Sequence, residues 1–169
     1  MNKSLLSVLY LSLWRICYYF IFRPSPPLFH RLRIFLLNCF GADVSYSAII
    51  YPSCSIYNPK YLVVKDRACI SYCVKILNTT YVTLEADSVI SQYSFICTGS
   101  HDHFTFGRPL VSKPIIIGHS SWICADVYIG PGVSVGSSSI IAARSTIYKN
   151  VPSNSVVSST SDFRVISRI

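Results

Sequence analysis

From Val44 onward the chain repeats an aliphatic residue at every sixth position. The first series runs Val44, Ile50, Ile56, Leu62, then Val64, Ile70, Ile76, Val82, then Leu84, Ile90, Ile96. The rhythm resumes at Ile117, Ile123, Ile129, Val135, Ile141 and Ile147, and none of the seventeen positions lacks an aliphatic. Four places after each stands a small or β-branched residue, as at Ala48, Cys54, Ala68, Ser88, Ser94, Ser121 and Ser139, with Lys60 the clear exception. A period of six is neither helical nor simple strand alternation. It fits a triangular coil with six residues to a side, whose aliphatics point inward and whose small residues turn crowded corners. Two-residue slips after Leu62 and Val82 make the larger repeat twenty residues, three hexads plus a corner insertion. Coils stack at roughly 4.8 Å, so about five of them give a prism about 25 Å tall. Its two ends are exposed strand edges that something must cover.

The segment before this rhythm has a different pattern. Leu5, Leu9, Leu13, Ile16 and Phe20 recur at steps of three and four, the spacing of one helix face. Arg15 interrupts the apolar run, and a central Arg costs about 2.5 to 3.5 kcal/mol on insertion scales, so a membrane span is disfavoured. No small-residue cleavage site follows, as a signal peptide would need. A second helix is expected over "SPPLFHRLRIFLLNCFGA", with Ser25 as cap, Pro26 in the first turn and Gly41 as stop. Arg31 and Arg33 lie in it, and no acid occurs before Asp43. Two roles stay open for residues 1–40: packing on one end of the main domain, or a basic, greasy foot on an anionic membrane surface. The expected organisation is thus a helical segment over 1–43, a coil over 44–152 with an excursion at 98–116, and a tail over 153–169.

Charge and cysteines narrow the partners. Fifteen Lys and Arg against seven Asp and Glu, a net +8, suit an anionic ligand or a membrane surface. Nucleic acid is not expected, because no Lys/Arg block with interleaved aromatics and no recognised binding motif is present. Seven cysteines without a CxxC pair make a poor zinc site and a poor disulfide framework. They are expected to be small buried residues of a reducing compartment, placing the protein in the cytoplasm or on the inner face of its membrane.

The one long lapse in the rhythm, between Ile96 and Ile117, contains "CTGSHDHFTFGRPL". A loop thrown out of a rigid scaffold is where function concentrates. His101, Asp102 and His103 stand together there, but adjacent residues do not easily converge on one ion, so no metal is expected.

The Ile117-Gly118, Ile129-Gly130 and Val135-Gly136 units resemble the left-handed parallel β-helix of hexapeptide-repeat acyltransferases, an all-β fold, here preceded by N-terminal α-helices. Within that group, "FRPSPPLFHRLRIFLLNCFGADVS", "SHDHF", "KPIIIGHSSWICADVYIGPGVSVG" and "STIYKNVPSNSVV" resemble the colanic acid biosynthesis acetyltransferase branch. Ser45, Tyr51, Cys124 and Ala142 stand where the family has glycine, and the glycine-asparagine-proline near the end is replaced by "SSTSDFRVISRI".

The resemblance implies an acetyl-CoA-dependent O-acetyltransferase acting on a sugar hydroxyl of surface or secreted polysaccharide. It also implies a homotrimer with active sites between subunits. His101 would be the catalytic base, since neutral imidazole can take a hydroxyl proton at cellular pH, with Asp102 beside it orienting a loop group or contacting substrate. Ala125 and Ala143 would let the pantetheine arm of the coenzyme pass, with Tyr148 and Lys149 beyond, and Arg164 and Arg168 would meet its phosphates. Ser71, His103 and Trp122 are the candidate substrate contacts. Two other functions stay open: a non-catalytic β-helix assembly subunit, and an acetyltransferase for a small acceptor such as serine, a free sugar or an antibiotic.

Overall fold

The computed structural model describes residues 5–102, 104–160 and 162–167. Three parallel sheets wrap a triangular prism of five complete turns and part of a sixth. The first face stacks Asp43–Val44, Leu62–Val64, Val82–Leu84, Ile115–Ile117 and Ser134–Val135, and Val151 continues it by a bridge to Val135. The second face stacks Ile49–Ile50, Cys69–Ile70, Val89–Ile90, Trp122–Ile123, Ile140–Ile141 and Ser155–Thr160, with Asp162–Ser167 returning antiparallel. The third stacks Ser55–Ile56, Lys75–Leu77, Phe95–Cys97, Tyr128–Ile129 and Thr146–Ile147. The stretch expected as a tail from 153 therefore opens with a strand of the second face.

The aliphatic columns are the strand register itself. Val44, Val64, Leu84, Ile117 and Val135 are successive partners on the first face, Ile50, Ile70, Ile90, Ile123 and Ile141 on the second, and Ile56, Ile76, Ile96, Ile129 and Ile147 on the third. All are buried and form one continuous core. The two residues that lengthen the first two coils sit at the edge between the third and first faces, where Pro59–Tyr61 forms a short 3-10 turn.

Corners turn through a left-handed residue three places after the inward aliphatic: Arg67, Cys73, Asp87, Tyr93, Ser120, Asp126, Ser138 and Arg144 have φ between 56° and 64°, save Ser120 at 54°. The small residue that follows is buried, as at Ala68, Ser88, Ser121 and Ser139. Glycine after the aliphatic has a direct cause. A Cβ on Gly118 would lie 2.7 Å from Ser137 N, and one on Gly136 only 2.3 Å from Ser153 N, both backbone atoms of the next coil.

Two helices close the N-terminal end: α1 (Leu5–Cys17), which runs into a π-helical turn at Tyr18–Phe22, and α2 (His30–Cys39). An open coil end leaves strand carbonyls unpaired. Here a helix side chain takes one on each face. Asn38 Nδ2 donates to Val44 O at 2.9 Å while its Oδ1 accepts from Val44 N at 2.9 Å. Arg33 Nε donates to Ile50 O at 2.7 Å, and Trp14 Nε1 donates to Ile56 O at 2.8 Å. Trp14, Tyr18, Phe22, Ile34 and Leu37 fill the space beneath these caps and join the prism core.

The stripe Leu5, Leu9, Leu13, Ile16, Phe20 is exposed, and the opposite aromatic face of α1 packs inward. Two expectations for this segment are corrected. α2 starts at His30, not beside Ser25, whose hydroxyl instead donates to Phe22 O and accepts from Arg33 Nη1. Arg33 belongs to no basic surface: it is fully buried, and desolvation pulls its guanidinium down from its usual range. Gly41 does end α2, with φ +83°. The cysteines are all free, but only Cys54 and Cys97 are buried, and Cys39 is exposed.

Candidate active site

After Ile96 the chain leaves the edge between the third and first faces as an antiparallel hairpin, Gly99–His101 against Leu110–Ser112. Polar side chains stepping up that edge fix its base. Asn78, fully buried, accepts from Asn58 N at 3.0 Å and donates to Asn58 O at 2.7 Å. One coil on, Thr98 Oγ1 accepts from Thr79 N at 2.9 Å and donates to Leu77 O at 3.2 Å. Thr79 Oγ1 shares a hydrogen bond with Ser112 Oγ at 2.7 Å, and Lys113 N donates to Thr98 O at 2.9 Å, so both hairpin strands are held at their root. A Cβ on Gly99 would press within 3.2 Å of Thr79 Oγ1.

This base presents His101 to solvent. Its Nδ1 lies 2.7 Å from Arg108 O across the hairpin. A carbonyl only accepts, so Nδ1 donates here, and in the neutral tautomer Nε2 is the nitrogen left to accept a proton. Asp102 holds the hairpin tip: its carboxylate accepts from Phe104 N at 2.9 Å and from Thr105 Oγ1 at 2.6 Å, and its N–H donates to Pro109 O. Ser100, His101, Asp102, Val111, Lys113 and Pro131 line an open groove of about 430 Å³. Lys113 is a cation that sequence reasoning does not single out, because only the folded hairpin brings it to His101.

Ala125 and Ala143 lie elsewhere, at the edge between the second and third faces. They line a groove of about 350 Å³ with Tyr93, Asp126 and Arg144. Arg144, also missed, is exposed there and pairs with Asp126 at 3.7 Å. Tyr148 and Lys149 follow the last strand of the third face, on the same edge as the hairpin but farther along the prism. The Tyr148 ring covers Gly130, where a Cβ would sit 2.7 Å from its Cδ1, and contacts Tyr128 at 5.4 Å between centroids. Burial first, then Cys97 and Tyr148, push the Tyr128 phenol up to about 12.

Trp122 projects half-exposed from the second face, its Nε1 donating to Ser91 Oγ at 2.8 Å. Ser71 is one coil below Ser91 in the same column. Arg164 is in the return strand, paired through its backbone with Ser158. His103 and Arg168 lie outside the described residues. One chain therefore brings Ala125 to Ala143, and sets Tyr148 and Lys149 on the edge of the hairpin, but holds His101 on a different edge from the two alanines. Among the described residues no cluster of three or more His, Cys, Asp or Glu could hold a metal ion.

Comparison with known proteins places this geometry. The profile of the family described as bacterial transferase hexapeptide (six repeats) matches residues 114–149. WcaF of Escherichia coli K12, provisionally named a colanic acid biosynthesis acetyltransferase, is 39% identical over 145 residues, covering 86% of this chain and 80% of its own. The hexapeptide-repeat acetyltransferase VCA0836 of Vibrio cholerae, solved with acetyl-coenzyme A, superposes with a TM-score of 0.86 at 21% identity, over 98% of this chain and 90% of that one. A maltose O-acetyltransferase from Clostridium difficile 630 gives 0.86 at 20% identity, over 98% and 89%. At those identities the structural likeness is one of fold.

Proposed function

The chain belongs to the hexapeptide-repeat acetyltransferases, in the colanic acid biosynthesis branch, and from that premise we propose that it moves an acetyl group from acetyl-CoA to a hydroxyl of a sugar destined for surface or secreted polysaccharide. The reading rests on one observation above the rest, the Nδ1–H of His101 committed to Arg108 O at 2.7 Å. That bond leaves Nε2 free to accept a proton without the ring having to change tautomer.

The reaction follows from that atom. Nε2 removes the hydroxyl proton as the sugar oxygen attacks the thioester carbonyl. The tetrahedral intermediate collapses, the carbon–sulfur bond breaks, and the imidazolium returns its proton to the departing coenzyme thiolate. No acyl-enzyme is required. Asp102 acts by fixing the turn that carries Arg108, hence the direction of the ring, through its bonds to Phe104 and Thr105. The small side chains of Ala125 and Ala143 leave their groove shallow enough for an extended pantetheine arm, and Arg144 on its rim supplies a charge suited to coenzyme phosphate.

A sugar acceptor is supported by relatives covering 86% of the chain that are named for colanic acid biosynthesis. His101 and the two alanines occupy different edges of one prism, so the working site is read as a junction of two chains, in a cytoplasmic homotrimer. The test is release of coenzyme thiol with purified protein, acetyl-CoA and a panel of nucleotide- and lipid-linked sugars. His101→Ala should lower the rate about 10²- to 10⁴-fold with its folding intact. Full activity of that variant, or of a protein that sediments as a monomer under assay conditions, would overturn the assignment.

A further inference from the structure

The outward face of α1 is the wrong kind of surface for a helix exposed to water. Its inward face is already occupied, with Trp14, Tyr18 and Phe22 in the core and Trp14 and Tyr10 hydrogen-bonded to Ile56 O and Phe40 O. The opposite stripe should then be polar. Instead it presents Leu5, Leu9, Leu13, Ile16 and Phe20, all more than half exposed, with Leu5 at 85% and Phe20 at 76%. The connection to α2 adds Leu28, exposed at 87%, and Phe29. This is a contiguous apolar stripe on one helix, beyond the scattered single residues that surfaces normally tolerate.

Charge decides what covers it. Arg15 within the helix, Arg23 just past its end and Arg31 on α2 are all exposed, and the first 42 residues contain five Lys and Arg and no acid. All seven acids of the chain lie from Asp43 onward. A second copy of this face would set arginines against arginines, whereas an anionic surface would meet them with opposite charge. The 18-residue run Leu5–Phe22 is long and apolar enough to cross a bilayer. Crossing would pull Trp14, Tyr18 and Phe22 out of the core and strip the cap from Ile56, so the helix can only lie flat.

We propose that α1 seats the protein on an anionic lipid surface, its Leu and Phe side chains among the acyl chains and Arg15, Arg23 and Arg31 at the headgroups. The arrangement is that of an interfacial amphipathic helix, whose binding combines buried apolar area with attraction to anionic lipid. It stands independently of the acetyl-transfer reading. A lipid-linked acceptor would connect the two.

Flotation of the full chain with phosphatidylcholine vesicles, with and without phosphatidylglycerol, tests it. The protein should float with the anionic vesicles and be released by high salt, since each arginine near the surface is worth about fivefold in partitioning. Arg15→Gln with Arg23→Gln should weaken binding about 25-fold by the same measure. Leu9→Asp with Leu13→Asp and Ile16→Asp should abolish it, with the melting temperature unmoved because these side chains are exposed. Wild-type protein that stays unbound, variants that float like wild type, or an aspartate variant that loses an oligomer while keeping its vesicle binding would each overturn the proposal. If the aspartate variant fails to fold, the arginine pair and the lipid comparison on wild type still decide.

Discussion

Arg33→Met removes a buried cation that closes the end of the prism while keeping its apolar stem. The guanidinium donates to Ile50 O at 2.7 Å, Pro26 O at 2.7 Å, Pro27 O and Ser25 Oγ at 2.8 Å. Among the described residues no carboxylate pairs with it, so the charge is held by neutral acceptors. The three bonds to carbonyls are lost on substitution at about 1 kcal/mol each, although Pro26 O keeps the Phe29 N–H at 2.9 Å and Ile50 O keeps His30 Nδ1 at 3.0 Å. Relief of the guanidinium's desolvation works the other way and caps the net loss at about 3 kcal/mol. For a chain of this length each kcal/mol moves the midpoint by about 2 to 4 °C, so the variant should melt lower by circular dichroism, by at most about 6 to 12 °C. Amide exchange should show the first coil deprotected before the later ones, because Ile50 forms its edge. A midpoint within about 2 °C of wild type, with first-coil protection unchanged, would refute the view that side-chain capping of the coil end is net stabilising.

Two further outcomes follow from packing and burial. Gly136→Ala would place a Cβ 2.3 Å from Ser153 N and 2.7 Å from the Pro152 carbonyl carbon, backbone atoms that cannot swing aside. A loss of about 1 to 3 kcal/mol in urea unfolding is expected, and an unchanged midpoint would contradict the coil spacing. Burial pushes the Cys54 thiol up to about 12, so it should stay unreactive toward a thiol reagent at pH 8 until the chain unfolds, while exposed Cys39 reacts at once. The sign for stability follows. The contribution of the buried neutral thiol is complete below the unfolded value near 9 and falls as pH rises from there toward 12.

The prism was legible because its period is enforced at every coil. An inward position admits only aliphatics, so the columns of Ile50 and Ile56 write the strand register into the sequence. The corners were less legible. Arg67, Tyr93 and Arg144 take left-handed φ with none of the residue types that usually announce it, because pairing to the neighbouring coils dictates the turn. α1 was legible as a helix and not in its orientation. It carries two apolar stripes, and periodicity alone does not say which packs. What decides is hydrogen bonding: the Trp14 indole N–H must find an acceptor when buried, and Ile56 O at the open coil end is one. Ser25 looked like a helix cap for a local reason, and a guanidinium eight residues along claimed its hydroxyl instead.

The candidate site divides in the same way. The lapse in rhythm marks the hairpin and His101 within it, but the tautomer depends on Arg108 O, which only the antiparallel pairing of the hairpin brings across. The separation of His101 from the alanines, by contrast, follows from phase alone. Ala125 comes two residues after Ile123 of the second face, and Ala143 two after Ile141, which puts both at the turn into the third face. His101 comes after Ile96 of the third face, at the turn into the first. In a triangular prism those are different edges, and a rigid stack of coils cannot fold one onto the other. If the acetyl carrier lies along the alanine edge, the Nε2 that activates the acceptor must come from a second prism whose hairpin leans across. Catalysis would then vary with protein concentration below the assembly threshold, and mixing His101→Ala chains with chains blocked by a bulky residue at Ala143 would restore activity at the junctions that pair two intact halves.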